Sequence, residues 1–310
     1  MDILALIAAF GGGILGAYMG ALPAFIMTGV LAITGAIATA AGAPADIAVG
    51  NMAFGSFVGP HIAFAGGVAA AAYAGRKGKL SSGADIGSPL NGLGAPDVLV
   101  VGGIFGIFGY IVATLIGMTP LGPLTDLPGI TVVISGMVAR LLFGKTGLTG
   151  KYTGKGPRTW FSTGTTFVYN VVLGLGIGIA TGFVAAGIYN LSDAVVAESA
   201  ISWATVSGIY PIICFGFAAI TLVFTQTGSA MPGTHHIALP SALAAIVGIN
   251  AFGPYGAILG AVFGILGSLL GDFFGNTFNS HCDSHIDPPA FTIFLLTIVV
   301  SLIRIALLGA

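Results

Sequence analysis

Two stretches combine residue types that could bind and move a polar solute. Residues 50–61 read GNMAFGSFVGPH and residues 225–236 read TQTGSAMPGTHH. In each, glycine and proline break an apolar segment just before a histidine. Proline removes a helix donor and clashes with the preceding turn. Broken backbone at membrane depth is tolerated only where it is buried in protein or lines a cavity. Half-helices starting near His61 and His236 would present free N–H groups and a positive dipole end. Imidazole is also the side chain best suited to carrying a proton near neutrality. The functional reading makes Asn51, Ser56, His61, Gln226, Thr227, Ser229, Thr234, His235 and His236 a polar lining for a substrate or ion. The plainer reading places the histidines at interfacial helix ends, bonded to nearby backbone.

A second pair is Asp126 and Asp287. Each precedes a proline and an apolar run, with Thr131 and Thr292 one turn further in. Aspartate is a favoured N-cap and proline suits the first helical turn, so capping is the simpler role. Coordination of an ion or substrate by these four residues is the alternative. His281, Cys282 and His285 have side chains that suit a transition metal, but their spacing matches no standard zinc motif. Asp272 interrupts the end of an apolar run and is a weaker candidate for a transport role. No nucleophile–base pair, phosphate loop or paired carboxylates stand at useful spacing, so no enzyme and no cofactor are expected. A coupling ion, H+ or Na+, fits better. The GLGIG at 174–178 has no strand before it and does not read as a dinucleotide fingerprint.

What must position these residues is a bundle of apolar helices. Of 310 residues, 56% are hydrophobic and 6% charged, where a soluble domain carries about 25% charged residues. Mean hydropathy is +1.03. Apolar runs about 17–25 residues long recur throughout, which indicates an all-α integral membrane protein rather than a barrel. Candidate spans fall at 3–20, 22–41, 52–74, 98–118 and 128–144, then at 165–189, 203–224, 235–249, 255–275 and 288–308. The chain also matches itself. GGIFGIFG at 102–109 aligns with GAVFGILG at 260–267, GPHIA at 59–63 with THHIA at 234–238, and DLPGIT at 126–131 with DPPAFT at 287–292. The expected organisation is a five-helix repeat over 1–150, a cytoplasmic linker at 151–164 and a second repeat over 165–310. An odd number of spans per repeat inverts the second relative to the first. Small-residue ridges at Gly12, Gly16 and Gly20 and at Gly174, Gly178 and Gly182 would let helices approach closely.

Charge gives an independent orientation. Arg76, Lys77 and Lys79 follow the third span, and Arg140, Lys145, Lys151, Lys155 and Arg158 end or follow the fifth. With both termini outside, both clusters fall on the cytoplasmic side. The N-terminus lacks a basic stretch before its apolar run and does not read as a cleavable signal. No basic cluster is large enough for nucleic acid, and the two cysteines make no disulfide framework.

Short or interrupted segments at matching places in two halves point to a transporter site at the repeat interface. The expectation is therefore a secondary transporter or permease in the inner membrane of a prokaryote. It would move a small polar solute or ion by alternating access. In architecture alone, five-plus-five inverted repeats resemble the fold of amino-acid/sodium symporters, and no motif lets residues be carried over. A channel, or a membrane subunit of a larger ion-translocating or transport complex, is the alternative reading. Expected partners are the substrate, the bilayer, and further copies or subunits.

Overall fold

The computed structural model describes residues 2–309, for Asp46 and Ala48 the backbone only. The chain is all-helical, with 72% of residues in helices and no strands among the described residues. The first half holds α1 (Ile3–Met19), α2 (Ala21–Ala40), α3 (Ala65–Arg76), α4 (Pro96–Gly117) and α5 (Leu127–Phe143). The second holds α6 (Gly164–Leu191), α7 (Trp203–Ile220), the single turn α8 (Val223–Gln226), α9 (His235–Phe252), α10 (Ile258–Phe278) and α11 (Pro288–Leu308). Six helical stretches are long and apolar enough to cross a bilayer, and α1 and α5 are shorter apolar helices. The helices are those of a membrane protein, with large apolar side chains such as Leu4, Ile104, Phe183 and Leu302 facing outward.

Local chemistry sets the helix ends. Asp2 caps α1 by accepting from the Leu4 amide, and Ser202 caps α7 by accepting from the Thr205 amide. Asp126 accepts from the Gly129 amide and Asp287 from the Ala290 amide, with proline in the first turn of each helix. These are the side-chain caps that unsatisfied N-terminal amides favour. Gly20 turns the chain sharply from α1 into α2 at φ +89°, where a side chain would be strained.

The expected span at 52–74 is the main departure. Residues 52–59 are turns, and helix begins only with a wide π-type turn, Pro60–Phe64, that runs into α3. Gly55 and Gly59 fold back so closely on Asn51 and Phe54 that no side chain would fit.

Packing within the two halves follows one pattern. α1 lies against α4 and α6 against α10; α3 pairs with α4 and α5, as α9 pairs with α10 and α11. The correspondence extends to single residues. Gly102 and Gly106 of α4 approach Gly13, Ala17 and Ala9 of α1, and Gly260 and Gly264 of α10 approach Gly178, Gly182 and Gly174 of α6. Both interfaces are antiparallel and nearly free of side chains, so helix backbones meet directly. The ridge at Gly174, Gly178 and Gly182 therefore packs a helix as expected. The one at Gly12 and Gly16 does so in part: Gly16 meets the carbonyl of Ala63 in the helical turn before α3, while Gly12 meets those of Ser56 and Phe57 in the non-helical stretch.

Between the halves, α2 crosses α7, with Gly29 against Gly216, and α5 crosses α11, with Gly129 against Ala290. The segment joining the halves is fastened to the end of α10. Arg158 donates to the carbonyls of Asn276, Thr277 and Ser280 and covers the Trp160 ring, while Ser162 donates twice to Asp272.

Candidate functional site

A cavity of about 1180 Å³ lies between the two halves. Its walls come from α2, the Pro60–Phe64 turn, the loop at 84–89, α5, α6, α7, α9, α10 and α11. Five of the residues expected to bind substrate or ion line it, namely Asp126, Gln226, His235, His236 and Asp287, and so do the weaker candidate Asp272 and the expected metal ligand His285.

The two histidines open α9. His235 is 5% exposed and sits between two rings, 4.6 Å from the Phe25 centroid and 6.0 Å from that of Phe215. His236 is also buried and lies against α10 where Gly271 lacks a side chain. The Nδ1 of each has no hydrogen-bond partner. Their depth follows from α10. The His236 carbonyl rests on Gly267, and α10 runs on to Phe278, about 16 Å further at 1.5 Å per residue. The start of α9 thus sits roughly half a hydrocarbon core below the end of its neighbour, a core being about 30 Å thick.

The N-terminal turns of α5 and α11 lie side by side and antiparallel, with the Thr125 hydroxyl donating to the Phe294 carbonyl. Both aspartates cap, yet they differ. Asp126 accepts only through Oδ1, from the Gly129 amide at 2.6 Å. Asp287 uses both oxygens, one for the Ala290 amide and one for His285 Nε2 at 3.0 Å. The Asn279 side chain orders this pair. Its Oδ1 accepts from the Ile286 amide, so its Nδ2 faces His285 Nδ1 as donor. His285 then accepts at Nδ1 and carries its proton on Nε2, toward Asp287.

Other expected residues lie away from the cavity. His61 is buried with Nδ1 unpartnered, and its carbonyl rests on Gly109. Asn51, Thr227 and Ser229 are exposed, and Ser56 donates to the Ala5 carbonyl. Thr234 sits half-buried at the cap position of α9 without a side-chain cap bond. Thr131 and Thr292 are fully buried among helices, the latter donating to the Pro288 carbonyl. Both interrupted segments reach the cavity, the first through Phe54 and Pro60 and the second through Gln226, Met231 and Pro232. α2 crosses α7 between them, and Phe25 touches both Phe64 beside the first break and His235 beside the second.

His281, Cys282 and His285 do not converge, and among the described residues no group of three or more His, Cys, Asp or Glu could hold a metal ion. The reason is a buried arginine. Arg140, 1% exposed, reaches from α5 to Cys282 Sγ, Ser284 Oγ and the carbonyls of Leu148, Phe278 and Ser284. A guanidinium beside the thiol repels a cation. His281 packs edge-on to Tyr152, and His285 is turned to Asp287. Burial would raise the Asp283 carboxyl, but the Thr146 hydroxyl, the Lys145 amide and the Arg140 charge outweigh it and hold it below its ordinary value.

The family described as "Family of unknown function (DUF7973)" matches twice, over residues 1–156 and over 158–309. The chain belongs to that family. No curated protein and no solved structure matches it. The two matches meet where the packing pattern begins again, between α5 and α6.

Several lining residues carry no motif. Asp85 binds the Gly87 and Ser88 amides in a tight turn that reaches the cavity. Tyr169 and Asn170 come from α6, and Phe25, Phe54, Phe64 and Phe215 make an aromatic wall. The Asp-x-Gly-Ser turn lies beside Gln226, a contact between distant segments that no spacing announces.

Proposed function

We propose that this protein is a secondary transporter built from two inverted five-helix repeats, moving a small polar solute or ion by alternating access. The observation that carries this reading is the cavity between the halves, where interrupted α9 begins at depth with two buried, unpartnered imidazoles. Polar groups held in a membrane interior are costly and are retained where solutes pass. Discontinuous helices meeting near the midplane at a repeat interface are the usual build of transporter sites. The twofold family match and the residue-for-residue likeness of the α1–α4 and α6–α10 interfaces support the duplication. The basic loops support cytoplasmic placement of residues 76–95 and 144–163. On that topology the cavity, rimmed by 84–89, Gln226 and Asp272, faces inward.

The test is flux. Proteoliposomes loaded with a mixture of small metabolites are assayed by mass spectrometry for protein-dependent loss, then for exchange with each solute outside. Saturable, trans-stimulated exchange of one solute class is the expected result. Unitary currents without saturation would replace the carrier with a channel, and no flux in the absence of co-purifying subunits would favour a membrane subunit of a complex.

A further inference from the structure

The lining of the cavity has a one-sided charge. Asp85, Asp126, Asp272 and Asp287 line it, and among the described residues no lysine or arginine does. Two of the four are already engaged at both oxygens: Asp272 by the Ser162 amide and hydroxyl, Asp287 by His285 and the Ala290 amide. Asp85 and Asp126 each accept through Oδ1 alone. Their second oxygens are unmatched by the protein. The opposite wall is aromatic, with Phe25 5.6 Å from Phe64 and 5.5 Å from Phe215, and Phe54 5.5 Å from Phe215, centroid to centroid. The rings of His235 and His236 line the same space, each more than nine-tenths buried, with Nδ1 enclosed and unpartnered.

We propose that the cavity binds a protonated primary or secondary amine with an apolar body. The ammonium N–H groups would donate to the free oxygens of Asp126 and Asp85. The apolar body would lie on the phenylalanine wall, where ring faces also attract cations. Charge excludes the opposite choice. An anion would meet four carboxylates, two of them, Asp126 and Asp287, inside the rim where salt screens poorly. The helix N-termini cannot offset them, because each contributes only about half a charge and two of the three carry an aspartate cap. A bare metal ion is excluded by size and ligands, since 1180 Å³ far exceeds a coordination shell and no cluster gathers its donors. The proposal rests on the transporter reading only in calling this ligand a substrate.

The experiment measures binding by equilibrium dialysis to the full chain in lipid nanodiscs at neutral pH. The probes are 4-phenylbutylammonium, 4-phenylbutanol and 5-phenylpentanoate, which share a body and differ in charge. The ammonium should bind saturably and at least about tenfold more tightly than the other two, the ratio expected for one charge-assisted contact. Asp126→Asn keeps the helix cap, because asparagine caps as well as aspartate, and should weaken the ammonium about tenfold. Asp85→Asn is the second variant, should the first fail to fold, and should weaken it similarly. Asp97→Asn, at the exposed pair with Lys79, should leave binding unchanged. Equal or tighter binding of the carboxylate, undiminished binding in both folded Asn variants, or no saturable binding of any probe would overturn the proposal. Proteoliposome flux of the ammonium is read separately. Binding without flux would retire the carrier and keep the ligand class, and flux of a different solute without amine binding would do the reverse.

Discussion

Gly109→Ala should destabilise the protein, and Gly267→Ala should do so far less. The two glycines occupy matching places in the repeats, each under the carbonyl of the histidine that begins an interrupted helix. A Cβ at Gly109 would lie 1.7 Å from the His61 oxygen, and one at Gly267 2.7 Å from the His236 oxygen. Ordinary carbon–oxygen contact is about 3.4 Å. The backbones would therefore have to part by about 1.7 Å in the first case and about 0.7 Å in the second. Overpacking of this kind costs about 1–3 kcal/mol, and separation of the helices loses dispersion contacts along the interface. Against this, alanine gains about 1 kcal/mol over glycine in a helix. Gly109→Ala should come out about 1–2 kcal/mol less stable, Gly267→Ala near neutral. Gly176→Ala, where nothing lies within 4 Å, should show only the helix gain. The assay is thermal unfolding in detergent followed by tryptophan emission, with Trp160 and Trp203 as reporters. A Gly109→Ala protein melting at or above the parent would refute the close approach of α4 to the His61 carbonyl.

Arg140→Met should destabilise the fold by about 3 kcal/mol or more, because it strands several buried acceptors at about 1–3 kcal/mol each; denaturation melts check this, and an unchanged midpoint would argue against the clamp. Asp287→Ala should cost about 1 kcal/mol as a lost cap, and Asp287→Asn much less; equal melting temperatures for the two would show that the cap contributes nothing. Acidification should weaken the clamp between residues 145 and 283: a carboxyl held below its ordinary value adds stability that is present above that ordinary value and is lost as pH falls through the lowered one, so Asp283→Asn should flatten the acid side of the melting profile. For topology, single cysteines at position 2 and at Ser81, in a background with Cys214 and Cys282 replaced, should react with an impermeant maleimide from opposite faces of the membrane; reaction of both from one face would end the inverted-repeat reading.

How much of this was legible in the sequence depended on whether the deciding interaction is local. The caps were readable, since Asp126 and Asp287 reach amides only three residues on. Helix limits were readable for the same reason, and the start of α9 at His235 follows from the proline and glycine just before it. Membership of the cavity was not readable. It depends on which helices cross, and the crossings of α2 with α7 and α5 with α11 are set by contacts such as Gly29 on Gly216 that no spacing announces. The cluster at His281, Cys282 and His285 misled because residue type was the only signal. What decides its chemistry is Arg140, far away in sequence, whose guanidinium bonds Ser284 and the Cys282 thiol.

The repeat made His61 and His236 look equivalent, and the structure separates them. Both begin interrupted helices, both are buried, and both rest a carbonyl on a glycine of the neighbouring antiparallel helix. Yet His236 lines the cavity and His61 does not. The clearance at the two glycines differs in the same sense, tighter at Gly109 and looser at Gly267. At this one contact the matching halves pack differently, and the transporter reading takes the first as closed and the second as open. Under the transporter reading this is what a single state of an alternating-access cycle requires. The second state would be reached by exchanging the two packings, with α10 closing on His236 as α4 withdraws from His61. Direct backbone contact at glycine suits such an exchange, because no side chain has to leave one hole and enter another. The same feature explains why a single methyl group at Gly109 is expected to matter: it would disfavour the closed packing of the first half and with it the state in which the cavity is open at the second.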